Sequence, residues 1–290
     1  MNHESTLKSK LYSIETAIDK WLPAASTRPI ELHKAMRYSM SSGKRLRPLL
    51  LLAAAEVNPR PEIDPLPAAV GVECLHSYSL IHDDLPAIDN SDLRRNQPSC
   101  HKKFDEPTAL LAGDALLTYA FHLLARAYQP YPEIANLLVL KLSEAAGSEQ
   151  LIGGQMEDIL GDKLPIDEQR LAFIHQNKTA ALFAASISMG LALGNNDLPI
   201  REKGHEAGIS LGLAFQILDD ILDVEGDPSL MGKPTGIDAK NKKITYPTLF
   251  GLAESRKKAH LLIQKTLSLI ETIGTKDSFF YFLCSKFLEK

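Results

Sequence analysis

The chain has 290 residues, 44% of them hydrophobic and 23% charged, an ordinary globular composition with ample material for a large core. Its formal net charge of -4 provides no overall positive field to recruit nucleic acid or an anionic membrane. Three cysteines, Cys74, Cys100 and Cys284, are too few and too unevenly placed for a disulfide framework, which points to reduced thiols and a cytoplasmic setting.

The opening MNHESTLKSK has no apolar stretch of the kind that makes a secretory signal. Leu7, Leu11, Ile14, Ile18 and Trp21 then recur in steps of four and three, one stripe of an amphipathic helix. A second helix is expected over Ile30 to Met40, with Gly43 able to take a left-handed cap. The basic loop GKRLRP follows, and Pro48 is suited to open the next helix at its first position. The run LLLLAAAEV is apolar all round, so that helix should be buried on most sides. A proline-rich connector, Pro59 to Pro67, leads into an apolar helix that ends in acid, LHSYSLIHDDLPAIDNSDLRR over 75–95.

The same punctuation continues: Pro107 opens a helix through Ala127, Pro132 one through Ala146, and a glycine-bearing helix follows around LIGGQMEDIL. Long helical patterns run from about Asp167 to Leu193 and from Pro199 to Val224, and Tyr246-Pro247 starts the C-terminal helices. The longest apolar run, Ala180 to Gly194, is interrupted by Ser186 and Ser188 and falls short of the ~20 residues that span a bilayer. There is no alternating strand pattern, no Asn-Gly or Asp-Gly hairpin signal and no repeat of solenoid length. The expectation is one all-α domain over 1–290. Ala, Gly and Ser among the large apolar residues of TAALFAASISMGLALG and AGISLGLAFQILDDILD imply tight helix packing or, alternatively, room for a central cavity.

Two acidic clusters stand out. Asp83 and Asp84 close the fourth helix, Pro86 breaks it, and Asp89 follows; on a continuous helix Asp89 would point elsewhere, so the chain must turn after Pro86 to bring it back. In FQILDDILD, Asp219 and Asp223 lie one turn apart, with Asp220 beside them and Gln216 a turn earlier. One such patch is usually a solvated helix end. Two on separate apolar helices suit Mg²⁺, which pairs one or two carboxylates with substrate phosphates; neither has the ligand spacing of a calcium loop. Lys44, Arg45, Arg47, Arg94, Arg95, Lys178, Lys233 and Lys243 supply opposing cations. Carboxylates and cations together ask for a polyanion, of which a diphosphate is the simplest, and no nucleotide P-loop is present.

The motifs GKRLRP at 43–48, HSYSLIHDDLPAIDNSDLRR at 76–95, GGQ at 153–155, KT at 178–179, FQILDDILD at 215–223, GK at 232–233 and KITYP at 243–247 occur in this order. In that set the chain resembles the trans-isoprenyl diphosphate synthases, the polyprenyl synthetase family, and within it the bacterial short-chain farnesyl diphosphate synthases. The resemblance covers most of the chain. It implies an isoprenoid synthase fold, a bundle of about ten or more helices around a central cavity, acting as a cytoplasmic homodimer. The implied reaction condenses isopentenyl diphosphate with dimethylallyl or geranyl diphosphate, assisted by several Mg²⁺ ions, for which Mn²⁺ is a possible substitute.

By match, the resemblance implies metal binding by Asp83, Asp84 and Asp89 from one wall and by Asp219, Asp220 and Asp223 from the other. Arg94, Lys178, Lys233 and Lys243 match contacts to the allylic diphosphate, whereas Lys44, Arg47, His76 and Arg95 match the isopentenyl diphosphate site. Thr179 and Gln216 match polar groups near the developing allylic cation. Tyr78, with Ser79 beside it, lies ~7.5 Å down the helix from the acids at ~1.5 Å per residue and matches the floor that limits product length. The chain departs from the family pattern at Asn96, where Gly is usual, and at Ala180, where KTG is usual; Asn tolerates the left-handed region. Alternatives are a geranyl or geranylgeranyl diphosphate synthase, a terpene cyclase, a phosphohydrolase read from His82-Asp83, or a non-catalytic prenyltransferase subunit.

Overall fold

The computed structural model describes residues 2–162, 167–225, 245–274 and 276–289. Among these the chain is almost wholly helical: α1 His3–Trp21, α2 Ile30–Met40, α3 Leu46–Ala55, α4 Leu66–Asp83, α5 Cys100–Lys103, α6 Glu106–Ala127, α7 Pro132–Ala146, α8 Leu151–Ile159, α9 Glu168–Ile174, α10 Ala181–Leu193, α11 Leu198–Glu225, α12 Tyr246–Ile273 and α13 Phe279–Ser285. The starts follow the sequence punctuation. Asp105 caps α6 through the Thr108 amide at 2.7 Å, Asp167 caps α9 through the Arg170 amide at 2.9 Å, and Thr245 forms a capping box with Thr248 on α12.

Every residue of α10 is buried, as expected of a helix apolar all round. It packs on α3, α11 and α7, while α4 packs on α6, α3 and α1, and α12 runs along α11. The buried apolar side chains form a continuous cluster to which all of these helices contribute. The small residues settle into close packing: a Cβ at Gly208 would meet the Ala184 backbone, and one at Gly212 would meet Ala180. Gly212 is one turn from Gln216 and Ala180 adjoins Thr179, so the close approach of α10 and α11 also sets a distance inside the site.

Four local expectations are corrected. Gly43 has φ 140 rather than a left-handed cap, and the left-handed residue is Arg45 (φ 51), which precedes α3. Pro48 lies at the third position of α3, not the first. Strands do occur: Leu93–Arg94 and Gln97–Pro98 pair antiparallel around Arg95 (φ 54) and Asn96 (φ 62). Two positive φ values at the centre of a two-residue loop are those of a type I′ turn, which normally favours Asn-Gly; Asn96 takes one of the two, and Arg95 holds the other. Finally, the expected helix from Asp167 is interrupted at His175–Ala180 by a π turn, a feature that often marks functional sites. In addition, α6 is by length and composition apolar enough to cross a membrane, but Ala109, Ala112, Leu116, Ala120, Leu123 and Leu124 on it are fully buried in the helical core.

Candidate active site

The first acidic cluster forms where α4 runs out. After Pro86 the chain doubles back, the Asp89 amide donating to the Asp83 carbonyl at 3.0 Å and the Ser91 amide to that of Asp84 at 3.1 Å. Consecutive residues at a helix end diverge by about 100°, and the two carboxylates part accordingly. Asp83 accepts from Gln155 Nε2 at 2.5 Å and lies 3.8 Å from Lys178 Nζ. Asp84, also expected among the metal ligands, pairs with the hairpin. There Arg94 Nε lies 3.1 Å from each of its oxygens, and Arg94 Nη2 lies 2.5 Å from Oδ1. At 2% exposure, burial pushes the Asp84 carboxyl up while the forked contact with Arg94 opposes it.

The second cluster shows the same division. Asp219 is half-buried, whereas Asp220 and Asp223 are buried. Asp220 accepts from Gln216 Nε2 at 2.9 Å and from the Tyr246 amide at 3.0 Å, with His175 Nε2 at 3.4 Å. Gln216 Oε1 in turn accepts from Thr179 Oγ1 at 2.7 Å, so both ends of its amide are fixed. The π turn therefore joins the clusters: Lys178 reaches towards Asp83, and the next residue, Thr179, reaches Gln216. Gly154 makes this possible from behind, since a Cβ there would collide with the Lys178 backbone.

Lys178 is also held by Asp158 at 2.7 Å. Asp158, and Gln155 of the GGQ motif, are site residues that the motif analysis does not single out. Their spacing places them on one face of α8, and that signal was legible. His175 stacks on Tyr246; burial, more than its charged neighbours, pushes its imidazole down to about 4.

A second group of cations lies where α3 begins. Arg47 rests on the Phe183 ring at 4.6 Å, donates to His76 Nε2 at 3.3 Å and leaves its Nε without a partner among the described residues. Burial, followed by Arg47, Arg95, Arg94 and Arg45, pushes His76 well below its ordinary range, so the ring is neutral and accepts. Burial lowers Arg47 itself to about 10, Glu73 acting in the opposite sense and Arg95 in the same one. Arg45, counted from sequence among the available cations, is committed elsewhere: it is fully buried and bound to Glu15, Glu73 and the carbonyls of Ser42 and Met40. Lys44 is exposed in the loop. Lys233 and Lys243 lie outside the described residues.

Tyr78 is buried at 4% exposure, edge-on to His82, with its hydroxyl unpartnered among the described residues. Ser79 turns its hydroxyl back onto the His76 carbonyl at 2.8 Å. His82 Nε2 lies 3.0 Å from the Leu110 carbonyl and 3.7 Å from Asp114 Oδ1, so that ring nitrogen is engaged by α6. Among the described residues no three His, Cys, Asp or Glu side chains converge closely enough to hold a metal ion by themselves. A cavity of about 30 Å³ lies against Ser77, Ile81, Asp84, Arg94 and Arg95. A larger recess of about 750 Å³ between α1 and α2 contains none of the paired aspartates.

The sequence model of the polyprenyl synthetase family matches residues 29–276. A farnesyl diphosphate synthase from Geobacillus stearothermophilus is 38% identical over 284 residues, 97% of this chain and 95% of that protein. The chloroplastic geranylgeranyl pyrophosphate synthase 7 of Arabidopsis thaliana is 41% identical over 264 residues, 89% of this chain and 75% of that one. In three dimensions the chain is similar to a geranyltransferase from Helicobacter pylori, solved with magnesium and isoprenyl diphosphate. The TM-score is 0.85 at 35% identity, covering 100% of this chain and 96% of that one.

Proposed function

Because the chain belongs to the polyprenyl synthetase family and is a short-chain trans-prenyltransferase, we propose that it condenses isopentenyl diphosphate with dimethylallyl and then geranyl diphosphate to give farnesyl diphosphate. The observation that carries this reading is the pairing of two differently equipped anion sites. One has acid and cation together at Asp83, Lys178 and Asp158. The other gathers Arg47, which makes no ion pair among the described residues, a neutral His76, and Arg95 with one buried acid, Glu73, 3.5 Å from its guanidinium. A metal-bridged diphosphate that must leave fits the first, and a diphosphate that stays on its substrate fits the second.

The metal fits the donor set. Carboxylate oxygens are the ligands a hard cation takes, and Mg²⁺ uses one or two of them together with substrate phosphates, so a protein cage of three is not needed. Asp83, Asp84 and Asp89 from one side and Asp219, Asp220 and Asp223 from the other would hold Mg²⁺, with Mn²⁺ as a substitute. Asp84 and Asp220 also act through Arg94 and Gln216. When bound, the metal supplies Lewis-acid neutralisation of the departing diphosphate.

The chain's own residues do the rest. Arg94 and Lys178, with Lys233 and Lys243 by family match, pair with the allylic diphosphate as the C–O bond ionises. Thr179 and Gln216 present oxygen dipoles to the allylic cation at fixed positions, a preorganised arrangement that lowers the barrier without reorganisation. Lys44, Arg47, His76 and Arg95 orient isopentenyl diphosphate so that its double bond attacks the cation; the resulting cation then gives a proton to the released diphosphate, which restores an alkene. The apolar walls of α4, α10 and α11 exclude water. Tyr78, with Ser79 above it, ends the chain pocket at C15; the similarity to a geranylgeranyl pyrophosphate synthase makes C20 the second reading. We also read the chain as one domain over 1–290, acting in the cytoplasm as a homodimer, with Leu110 and Leu111 exposed on α6 as candidate contact residues. Magnesium returned to chelator-treated protein should restore condensation; full condensation without any divalent metal would contradict the metal assignment.

A further inference from the structure

Glu73 is 1% exposed and sits on the buried face of α4. A carboxylate there is costly unless it is paired, and its partners come from two separate irregular segments. Arg45 Nη1, from the loop before α3, lies 2.9 Å away, and Arg95 Nη2, from the hairpin, lies 3.5 Å away. Arg45 is anchored independently by Glu15 and by the Ser42 and Met40 carbonyls, so Glu73 faces one fixed cation and one that is set on a turn. The Arg95 guanidinium also donates to the Ser42 carbonyl and covers Gly43, where a Cβ would lie 2.7 Å from Cζ. Its backbone is in the left-handed region at φ 54, a conformation that is unfavourable for a non-glycine residue unless the surroundings impose it. The side-chain contacts are what impose it.

We propose that Glu73 is a positioning residue for isopentenyl diphosphate: through its contact with Arg95, and braced by Arg45, it holds the hairpin guanidinium against the 41–45 loop, ready for the diphosphate. The inference rests on the assignment of Arg95 to the isopentenyl site made above. It has a distinctive sign. If Glu73 acted only as a charge, its removal from an arginine-rich site would tighten diphosphate binding; as a positioning residue, its removal weakens it.

The test is a double-mutant cycle of Glu73→Gln and Arg95→Gln, with KM for each substrate and kcat measured separately. Glu73→Gln should raise the isopentenyl diphosphate KM about tenfold, on the scale of a hydrogen bond to a charged group, and leave kcat and the allylic KM within about twofold. In the Arg95→Gln background the same change should add less than about twofold. Glu73→Asp keeps the charge beside Arg45 but draws back from Arg95; it should show the same selective rise at a near-native melting temperature, should Glu73→Gln fold poorly. An unchanged or lower isopentenyl KM in both Glu73 variants, equal effects in the two backgrounds, or a parallel change in all three parameters would overturn the inference. If Arg95→Gln alone leaves isopentenyl KM unchanged, the assignment of Arg95 fails, and the inference fails with it.

Discussion

Thr179 on the π turn donates to Gln216 on α11 at 2.7 Å, and this bond fixes which end of the Gln216 amide faces Asp220. Thr179→Val keeps the shape and removes the donor. A misplaced dipole next to a developing cation should lower kcat about tenfold or more. The melting temperature should stay within a few degrees, because the hydroxyl is replaced by a methyl of similar size. Steady-state kinetics and thermal unfolding of the same preparation check both statements.

Asp83 and Asp84 are neighbours in sequence and should respond in opposite ways. Asp83→Asn removes the carboxylate that faces Gln155 and Lys178 and should cut kcat about 10²- to 10⁴-fold, the several kcal/mol of charge stabilisation lost with a metal contact, with little change in stability. Asp84→Asn breaks a buried pair and leaves Arg94 without its carboxylate, which should cost about 3 kcal/mol. Urea unfolding distinguishes the two: only the Asp84 variant should shift its midpoint strongly.

Tyr78 separates hydroxyl from ring. With no partner for its hydroxyl among the described residues, Tyr78→Phe should leave both stability and product length unchanged. Tyr78→Ala should lose about 3 kcal/mol or more from the emptied core and shift products towards C20 by opening the pocket. Chromatography of dephosphorylated products reads the outcome; C15 as the sole product of Tyr78→Ala would remove the floor assignment.

His175 gives the fold an acid limb. Its folded pKa is held down to about 4 by burial, against an ordinary 6.5. Between these values the unfolded chain binds more protons, so stability falls as pH drops below about 6.5 and levels off below about 4, by about 3 kcal/mol in total. Urea midpoints taken across that range should fall less steeply in His175→Gln than in the parent protein.

The helices were legible because proline marks their starts, as Pro107 and Pro132 show. The hairpin was not: it is made by Arg95 and Asn96, and an arginine in a left-handed turn has no signature of its own, since side-chain contacts with Ser42 and Glu73 impose it. The π turn at 175–180 was equally hidden, because helical periodicity continues through it. The acidic clusters could be found from spacing, but the division of labour between Asp83 and Asp84 could not. It depends on a hairpin whose position is decided by tertiary packing. Glu73 carries no sequence signal, because a single acid in an apolar helix has no local pattern; only the two arginines that fold around it identify it.

The most direct measurement is incubation of the protein with isopentenyl and dimethylallyl diphosphates and Mg²⁺, followed by product chromatography. The account predicts a linear all-trans prenyl diphosphate, C15 as the main species, absent when the metal is chelated. A cyclic hydrocarbon, or no prenyl product from well-folded protein, would contradict it.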